Sequence, residues 1–220
     1  MRTLPILFKT EMVQALLAGR KTCTRRVIKL PDNMTGRPVG KAGDSSNPLG
    51  FFYIGGIKRP PYQPGDILYV RETWERFECC NCEGDERGNC PKEPKAVLRD
   101  KTCGCYMYRA TDEISGDAKW HPSIHMPKYA ARIWLKVTDV RVERLQEITE
   151  TEAILEGATN NIAFIHSPDN EYDHIHTARE HFIDIWNSTI KKSDTDKYGW
   201  NANPWVWVIE FERCEKPGKE

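Results

Sequence analysis

The segment from Leu17 to Arg26 gathers residue types that are suited to binding or cleaving a polar ligand. Four cations and two hydroxyls occur within seven consecutive residues, 20–26. Successive residues of an extended chain point to opposite sides, so the alternation in this segment can turn a lysine and a threonine toward one pocket. The alternative is a solvated turn whose cations complement the dipole of the preceding helix.

That helix is predicted with Thr10 as its N-cap and Gly19 as its C-terminal stop. Apolar residues at positions 12, 15 and 16 have helical spacing. The basic segment therefore begins where the chain turns.

The charge balance argues against a broad electrostatic grip on nucleic acid. The 220 residues contain 32 Lys and Arg against 32 Asp and Glu, a net charge of zero. Cations are concentrated in residues 1–30, where Glu11 is the one acidic residue. We therefore expect a local basic site on a neutral protein.

The composition is that of a globular protein, with 39% apolar and 29% charged residues. No apolar run approaches the length of a membrane-spanning helix, and residues 1–9 lack the long apolar core of a secretory signal. We expect a cytoplasmic protein with no membrane partner.

Short strands broken by a few helices predict an α+β domain built on a small β-barrel. Glycine and proline in residues 29–64 predict a long loop around a short strand at 51–54. A capping box at Thr149 predicts a helix to about Glu156, and an amphipathic helix is predicted at 177–190. Further strands are predicted at 67–74, 106–110, 132–143 and 205–213.

Six of the eight cysteines fall between residues 79 and 105. Their spacing predicts a tetrahedral, structural zinc site in an insertion at about 76–106, because four thiolates leave no open position for catalysis. Cys80 or Cys90 could replace one ligand, and the alternative is a flexible loop of free thiols. The predicted ligands are Cys79, Cys82, Cys103 and Cys105.

Three motifs occur in an order that resembles the ASCH domain, a member of the PUA-like superfamily of small β-barrels. They are the segment 17–26, the segment 64–74 with its Pro-Gly-Asp turn and Arg-Glu-Thr-Trp end, and the helix 149–157. Residues 121–127 and 203–209 are similar to the longer form found in bacteriophages and prophages.

The resemblance extends over about residues 5–213. It implies one domain at 1–214 with the cysteine-rich segment as an insertion and a flexible tail at 215–220. It also implies a cleft beside residues 19–26 and a partner that is RNA or a modified nucleobase or nucleoside.

Some short bacterial ASCH proteins are amidohydrolases that deacylate N4-acetylcytidine without a cofactor, using a lysine, a threonine and a glutamate. The resemblance assigns those catalytic roles to Lys21, Thr24 and Glu156. The candidate substrate-binding residues are Arg20, Arg26, Glu72, Trp74 and His125.

In such a reaction Thr24 needs a neighbour to take its proton, and Lys21 would have to be neutral to do so. Glu156 would carry a proton to the leaving amine or hydrogen-bond the exocyclic nitrogen of a cytosine-like base. Two alternatives stay open: a site that binds RNA or a nucleoside without cleaving it, and an adaptor whose insertion contacts a protein partner.

Overall fold

Strands dominate the fold, and the helices between them are few and short. The computed structural model describes residues 1–31, 34–78, 95–97, 103–113, 119–167 and 170–218. In this described part the strands are β1 Thr3–Leu7, β2 Cys23–Val27, β3 Gly36–Val39, β4 Gly50–Tyr53, β5 Gly56–Lys58, β6 Ile67–Arg71, β7 Trp74–Glu78, β8 Lys95–Val97, β9 Cys103–Tyr108, β10 Trp134–Arg144, β11 Asn161–Ser167, β12 Asn170–His176 and β13 Trp205–Cys214. The α-helices there are α1 Thr10–Leu17, α2 Glu150–Leu155, α3 Ala178–Thr189 and α4 Thr195–Tyr198.

These elements confirm the predicted α+β class, although no closed barrel is present among the described residues. The chain divides into two compact units. The first unit comprises residues 1–17, 65–136 and 212–220, and the second comprises 18–64 and 137–211. The assignment of residues 1–214 to a single domain stays a prediction.

In the first unit, β6 lies between β1, which is parallel to it, and the start of β10, which is antiparallel. A separate antiparallel sheet has the order β7-β9-β8. Aromatic and aliphatic side chains form the core of this unit. They include Ile67, Tyr69, Tyr106, Tyr108, Met126 and Trp134.

In the second unit, β13 lies between β10 and β2 and runs antiparallel to β2. Strands β3, β4 and β5 form a small antiparallel sheet, and β11 pairs with β12. Helices α2 and α3 pack with β13 around a second core. Its members include Leu145, Ile148, Ala153, Phe182, Trp186, Val206 and Val208.

The helix predictions are confirmed because their signals are local. Thr149 caps α2 by accepting a hydrogen bond from the Glu152 amide, and the Glu152 carboxylate accepts one from the Thr149 amide, as in a capping box. Gly157 has a φ of 99°, which only glycine adopts readily, and it follows the end of the helix.

The short strand predicted at 51–54 is confirmed as β4. The prediction that the rest of 29–64 is a loop is wrong, since this stretch also contains β3 and β5. A Cβ at Gly36 would collide with the carbonyl oxygen of Phe52, and one at Gly50 would lie 2.5 Å from the Ile57 side chain. The glycines here allow strands to approach closely, so they do not mark a loop. Pro38 is tolerated because β3 is an edge strand.

The predicted strand at 67–74 is divided into β6 and β7, with Glu72 and Thr73 between them. Among the described residues, no helix has the length and apolar character needed to cross a membrane.

Candidate functional site

The basic segment reaches its position through two backbone hydrogen bonds in the second unit. After Gly19, whose φ is 73°, the amide of Thr22 donates to the carbonyl of Leu155 over 2.9 Å. The amide of Phe211 donates to the carbonyl of Thr22 over the same distance. Residues 20–22 are therefore held between the end of α2 and β13.

Lys21 is a fully engaged cation. Its Nζ donates to the carbonyl oxygens of Cys23 and Glu156, both at 2.7 Å, and to Oε2 of Glu156 at 2.8 Å. An ammonium group carries three protons, so these three acceptors account for all of them. Only 1% of the side chain is exposed. This arrangement favours a role for Lys21 as a hydrogen-bond donor that positions Glu156.

Glu156 is the C-cap residue of α2, and its carboxylate is buried. One oxygen, Oε2, accepts the hydrogen bond from Lys21. The other, Oε1, lies 3.5 Å from Nη1 of Arg25 but has no hydrogen-bond partner in the described part of the chain. A buried carboxylate oxygen in this condition is uncommon, because desolvating it without a donor is costly.

Arg25 provides the second cation beside Glu156, and its side chain has no exposed surface. Its Nη2 donates to Glu143 over 3.0 Å and lies 3.4 Å from Glu152. Its Nε and Nη1 have no hydrogen-bond partner in the described residues. We call Lys21, Arg25, Glu143, Glu152 and Glu156 the Glu156 cluster.

Arg141 extends the Glu156 cluster toward the surface. It forms ion pairs with Glu143 and Glu210, and its Nη2 donates to Glu152 over 2.9 Å. Burial alone would raise the pKa of Glu152, but the Thr149 amide and the charges of Arg25 and Arg141 outweigh burial and lower it. These neighbours therefore favour the ionised form of Glu152.

Thr24 and Arg26 lie on the opposite face of β2 from Arg25, because strand residues alternate. In the register of β2 with β13, Thr24 is opposite Ile209 and Arg26 is opposite Trp207. The Thr24 hydroxyl forms no hydrogen bond to Lys21 or Glu156 within the described residues. The expected triad is thus only partly assembled: Lys21 and Glu156 are paired, and Thr24 is not joined to them.

The remaining candidates in the second unit have separate roles in the structure. Arg20 donates to the carbonyl of Gly157 over 3.1 Å. Burial lowers the pKa of Arg26, and the charges of Tyr62 and Glu156 oppose that shift. Burial, reinforced by the charge of Glu156, raises the pKa of the Cys23 thiol to about 12, so Cys23 is an inert packing residue.

Glu72, Trp74 and His125 belong to the first unit. Glu72 accepts two hydrogen bonds from Arg132, each of 2.9 Å, and is 1% exposed. Trp74 packs its ring against Tyr106, and its buried Nε1 has no hydrogen-bond partner in the described residues. His125 is exposed at the end of a 3₁₀ turn.

Most of the predicted zinc ligands lie outside the described residues. This applies to Cys79 and Cys82 and to the side chain of Cys103, whereas Cys105 is buried in β9 and forms no disulfide bond with another described residue. The residues that the structure describes contain no group of three or more potential metal ligands. Zinc therefore stays a prediction.

Sequence reasoning missed Glu143 and Glu152 as partners of Arg25. A signal was available for one of them, since Glu152 and Glu156 are four residues apart on a helix and so share a face. Residues 23 and 25 share a strand face by the same kind of argument. No local sequence pattern indicated that Glu143 of β10 would pair with Arg25.

Two pockets of about 320 and 280 Å³ lie in the second unit, and neither is lined by Lys21, Thr24, Arg26 or Glu156. No known protein family, curated protein or solved structure matches this chain.

Proposed function

We propose that this protein binds a modified nucleobase, a nucleoside or an RNA end, with Oε1 of Glu156 as the acceptor for an exocyclic amine of a cytosine-like base. One observation supports the proposal above all: this buried oxygen has no hydrogen-bond partner among the residues that the structure describes. A ligand N–H donor would remove the cost of its desolvation, which is typically about 1–3 kcal/mol.

The rest of the Glu156 cluster supports the same function by fixing that oxygen in place. Lys21 holds the second carboxylate oxygen and also the backbone carbonyl of Glu156. A group whose neighbours lock its orientation loses little freedom when a ligand arrives, so its hydrogen bond is worth more. The three bonds of Lys21 favour this positioning role over a role as general base.

Arg26 and Arg20 would contact a phosphate or a neighbouring base edge, which agrees with a local basic site on a chain of zero net charge. We also propose that the chain belongs to the ASCH family. The order of the motifs supports an ASCH domain with a PUA-like barrel, and the α+β composition is compatible with it.

The proposal is tested by titrating the protein with cytidine and with uridine in a calorimeter. Cytidine presents an amino group where uridine presents a carbonyl oxygen, which a carboxylate repels. We expect cytidine to bind at least about tenfold more tightly than uridine. In Glu156→Gln the amide can donate as well as accept, so the preference should disappear.

Glu150→Gln is the matched control for this titration, because Glu150 is an exposed glutamate at the other end of α2. It should retain the preference for cytidine. Equal affinity of the wild-type protein for the two nucleosides would contradict the proposal.

A second candidate function is hydrolysis of the N4-acyl amide of a cytidine. The same oxygen favours it, because a buried carboxylate beside an ammonium can pass a proton to a leaving amine. Thr24 would attack the acyl carbon and form an acyl ester as cytidine leaves. Because Thr24 forms no hydrogen bond to Glu156 among the described residues, a water bound with the substrate would have to carry the Thr24 proton to Glu156, which protonates N4. A second water would then hydrolyse the ester and release the acid.

Incubation with N4-acetylcytidine and chromatography for free cytidine tests this candidate. Thr24→Val keeps the shape of the side chain and removes the nucleophile, so it should abolish product without abolishing binding. Lys21→Ala should abolish both. Binding without product in the wild-type protein would assign a binding function alone.

The cysteine-rich insertion at about 76–106 is proposed to hold structural zinc and to offer a surface to a protein partner. Protein purified without added zinc should contain about one equivalent, and Cys82→Ser should lose it. Cys214→Ser is the control, because Cys214 lies outside that insertion. Metal-free wild-type protein under reducing conditions would end the zinc proposal.

A further inference from the structure

The pocket of about 320 Å³ in the second unit is separate from the Glu156 cluster. Residues following β2, the start of β3, helix α4 and the start of β13 surround it. Its volume is within the range that holds a small organic ligand. Six of its lining residues matter here: Ile28, Met34, Arg144, Lys197, Tyr198 and Trp205.

Arg144, the last residue of β10, is fixed over an aromatic ring in this pocket. Its guanidinium carbon lies 4.3 Å from the centroid of the Trp205 ring, and its Nη1 donates to the carbonyl of Asn203 over 2.9 Å. This hydrogen bond uses one of five N–H groups, and an arginine held this way presents the others in a fixed plane.

Asn203 holds that carbonyl in place at some conformational cost. Its φ of 44° is the one left-handed value among the described residues other than glycine. Its side-chain oxygen accepts a hydrogen bond of 2.9 Å from the amide of Gln146, which stabilises the conformation. Backbone strain that neighbouring contacts maintain is common beside ligand sites.

The charged side chains among the described residues that line the pocket are all positive. Arg144 and Lys197 are cations, and no carboxylate is present among the described residues that line it. Lys29 adds a third positive charge nearby, with its Nζ 5.8 Å from the centroid of the Tyr198 ring. Tyr198 and Trp205 supply aromatic walls, and Ile28 and Met34 supply apolar ones.

We propose that this pocket binds a small ligand made of a planar ring that carries a phosphate or carboxylate group. Arg144 and Lys197 receive the anion, and the ring lies against Tyr198, Trp205 and the apolar wall. The proposal does not depend on nucleoside binding at Glu156, because it uses none of the same residues.

Calorimetric titration with two charged ligands tests the proposal. Phenyl phosphate represents a ring that carries a phosphate, and benzoate represents a ring that carries a carboxylate. Phenol and inorganic phosphate each carry only one of the two required features. We expect phenyl phosphate or benzoate to bind at least about tenfold more tightly than phenol. Whichever of these two ligands binds identifies the anionic group that the pocket takes. Inorganic phosphate alone should bind weakly.

Arg144→Gln should weaken binding of the charged ligand about tenfold or more and leave the affinity for phenol unchanged. Lys197→Gln, on the exposed side of α4, is the second variant in case the first unfolds, and it should weaken binding several-fold. Lys192→Gln, an exposed lysine outside the pocket, and Glu156→Gln should bind as the wild-type protein does.

Two results would overturn the proposal: absence of saturable binding of both charged ligands at millimolar concentration, or unchanged affinity in Arg144→Gln and Lys197→Gln while both remain folded.

Discussion

Two buried glutamates, Glu72 in the first unit and Glu156 in the second, carry the same charge in different surroundings. Both oxygens of Glu72 accept hydrogen bonds from Arg132, whose guanidinium also stacks over Tyr108 at 3.9 Å. Among the described residues, Glu156 has a hydrogen bond on Oε2 only, and its Oε1 lies 3.5 Å from Nη1 of Arg25. Both oxygens of Glu72 therefore have a hydrogen-bond donor, whereas only one oxygen of Glu156 has one.

The difference teaches that burial and ion pairing alone do not mark a ligand site. A bidentate arginine completes the hydrogen bonding of a carboxylate and leaves nothing for a substrate, which is what a structural pair requires. A lysine is a point donor that satisfies one oxygen and leaves the other. This contrast supports the proposal that Glu156 binds a ligand, and it favours a structural role for Glu72.

The largest expected effect is on stability, from removing Arg132. Arg132→Met leaves Glu72 buried without its cation, and breaking a buried pair in this way costs about 3–5 kcal/mol. Urea denaturation followed by circular dichroism measures the free energy of unfolding. Glu72→Leu combined with Arg132→Met should recover much of the loss, and a double variant as unstable as the single one would contradict the structural pair.

Lys21→Met should cost less, about 1–3 kcal/mol, because Arg25 stays beside Glu156 and keeps part of its charge compensated. The same denaturation experiment measures it. A loss larger than that of Arg132→Met would show that Arg25 does not share the charge of Glu156, and would weaken the contrast between the two glutamates.

The contributions of Glu72 and Glu152 to stability should change with pH in opposite directions. Burial raises the pKa of Glu72 above its ordinary value of 4.5, and Arg132 opposes this only in part. The stability that this group contributes is therefore full below pH 4.5 and is lost as pH rises through the folded-state pKa. The destabilisation caused by Glu72→Gln should shrink as pH rises above 4.5.

Glu152 of the Glu156 cluster should behave in the opposite way, because its pKa is lowered from 4.5. Its contribution is present above pH 4.5 and is lost as pH falls through the folded-state pKa. The destabilisation caused by Glu152→Gln should therefore shrink as the solution is acidified. Denaturation curves from pH 3 to 7 compare the variants, and slopes of equal sign would contradict these assignments.

The smallest expected effect concerns the thiol of Cys23, which lies beside the Glu156 cluster. Because burial raises the pKa of Cys23 to about 12, iodoacetamide should not alkylate it in the folded protein at pH 8. Peptide mass spectrometry before and after denaturation measures the labelling. Cys214 is half-buried and should label faster. Rapid labelling of Cys23 in folded protein would show that the cluster opens readily.

Local signals predicted the elements of the fold that depend on few residues. The helix α2 follows from a capping box and a terminal glycine, and β13 from alternating apolar residues. Strands β3 and β5 were missed, because the glycines and prolines of residues 29–64 have the composition of a loop. At Gly36 in β3 and Gly50 in β4, only the packed neighbours explain why glycine is needed.

The candidate site was predictable only where both partners had a motif. Lys21 and Glu156 were singled out from the resemblance, and the structure pairs them. Arg25 and Glu143 are 118 positions apart in sequence, so their ion pair follows from strand arrangement that periodicity does not encode. The same limit applies to Arg132 and Glu72, which are 60 positions apart.

The most direct test of the contrast is the ratio of cytidine to uridine affinity, measured by calorimetry in wild-type protein, Glu156→Gln and Glu72→Gln. Each protein is first shown to be folded at the temperature of the titration. The account predicts a ratio of at least about ten in the wild-type protein and in Glu72→Gln, and a ratio near one in Glu156→Gln. A ratio that is unchanged in Glu156→Gln, or lost in Glu72→Gln, would contradict it.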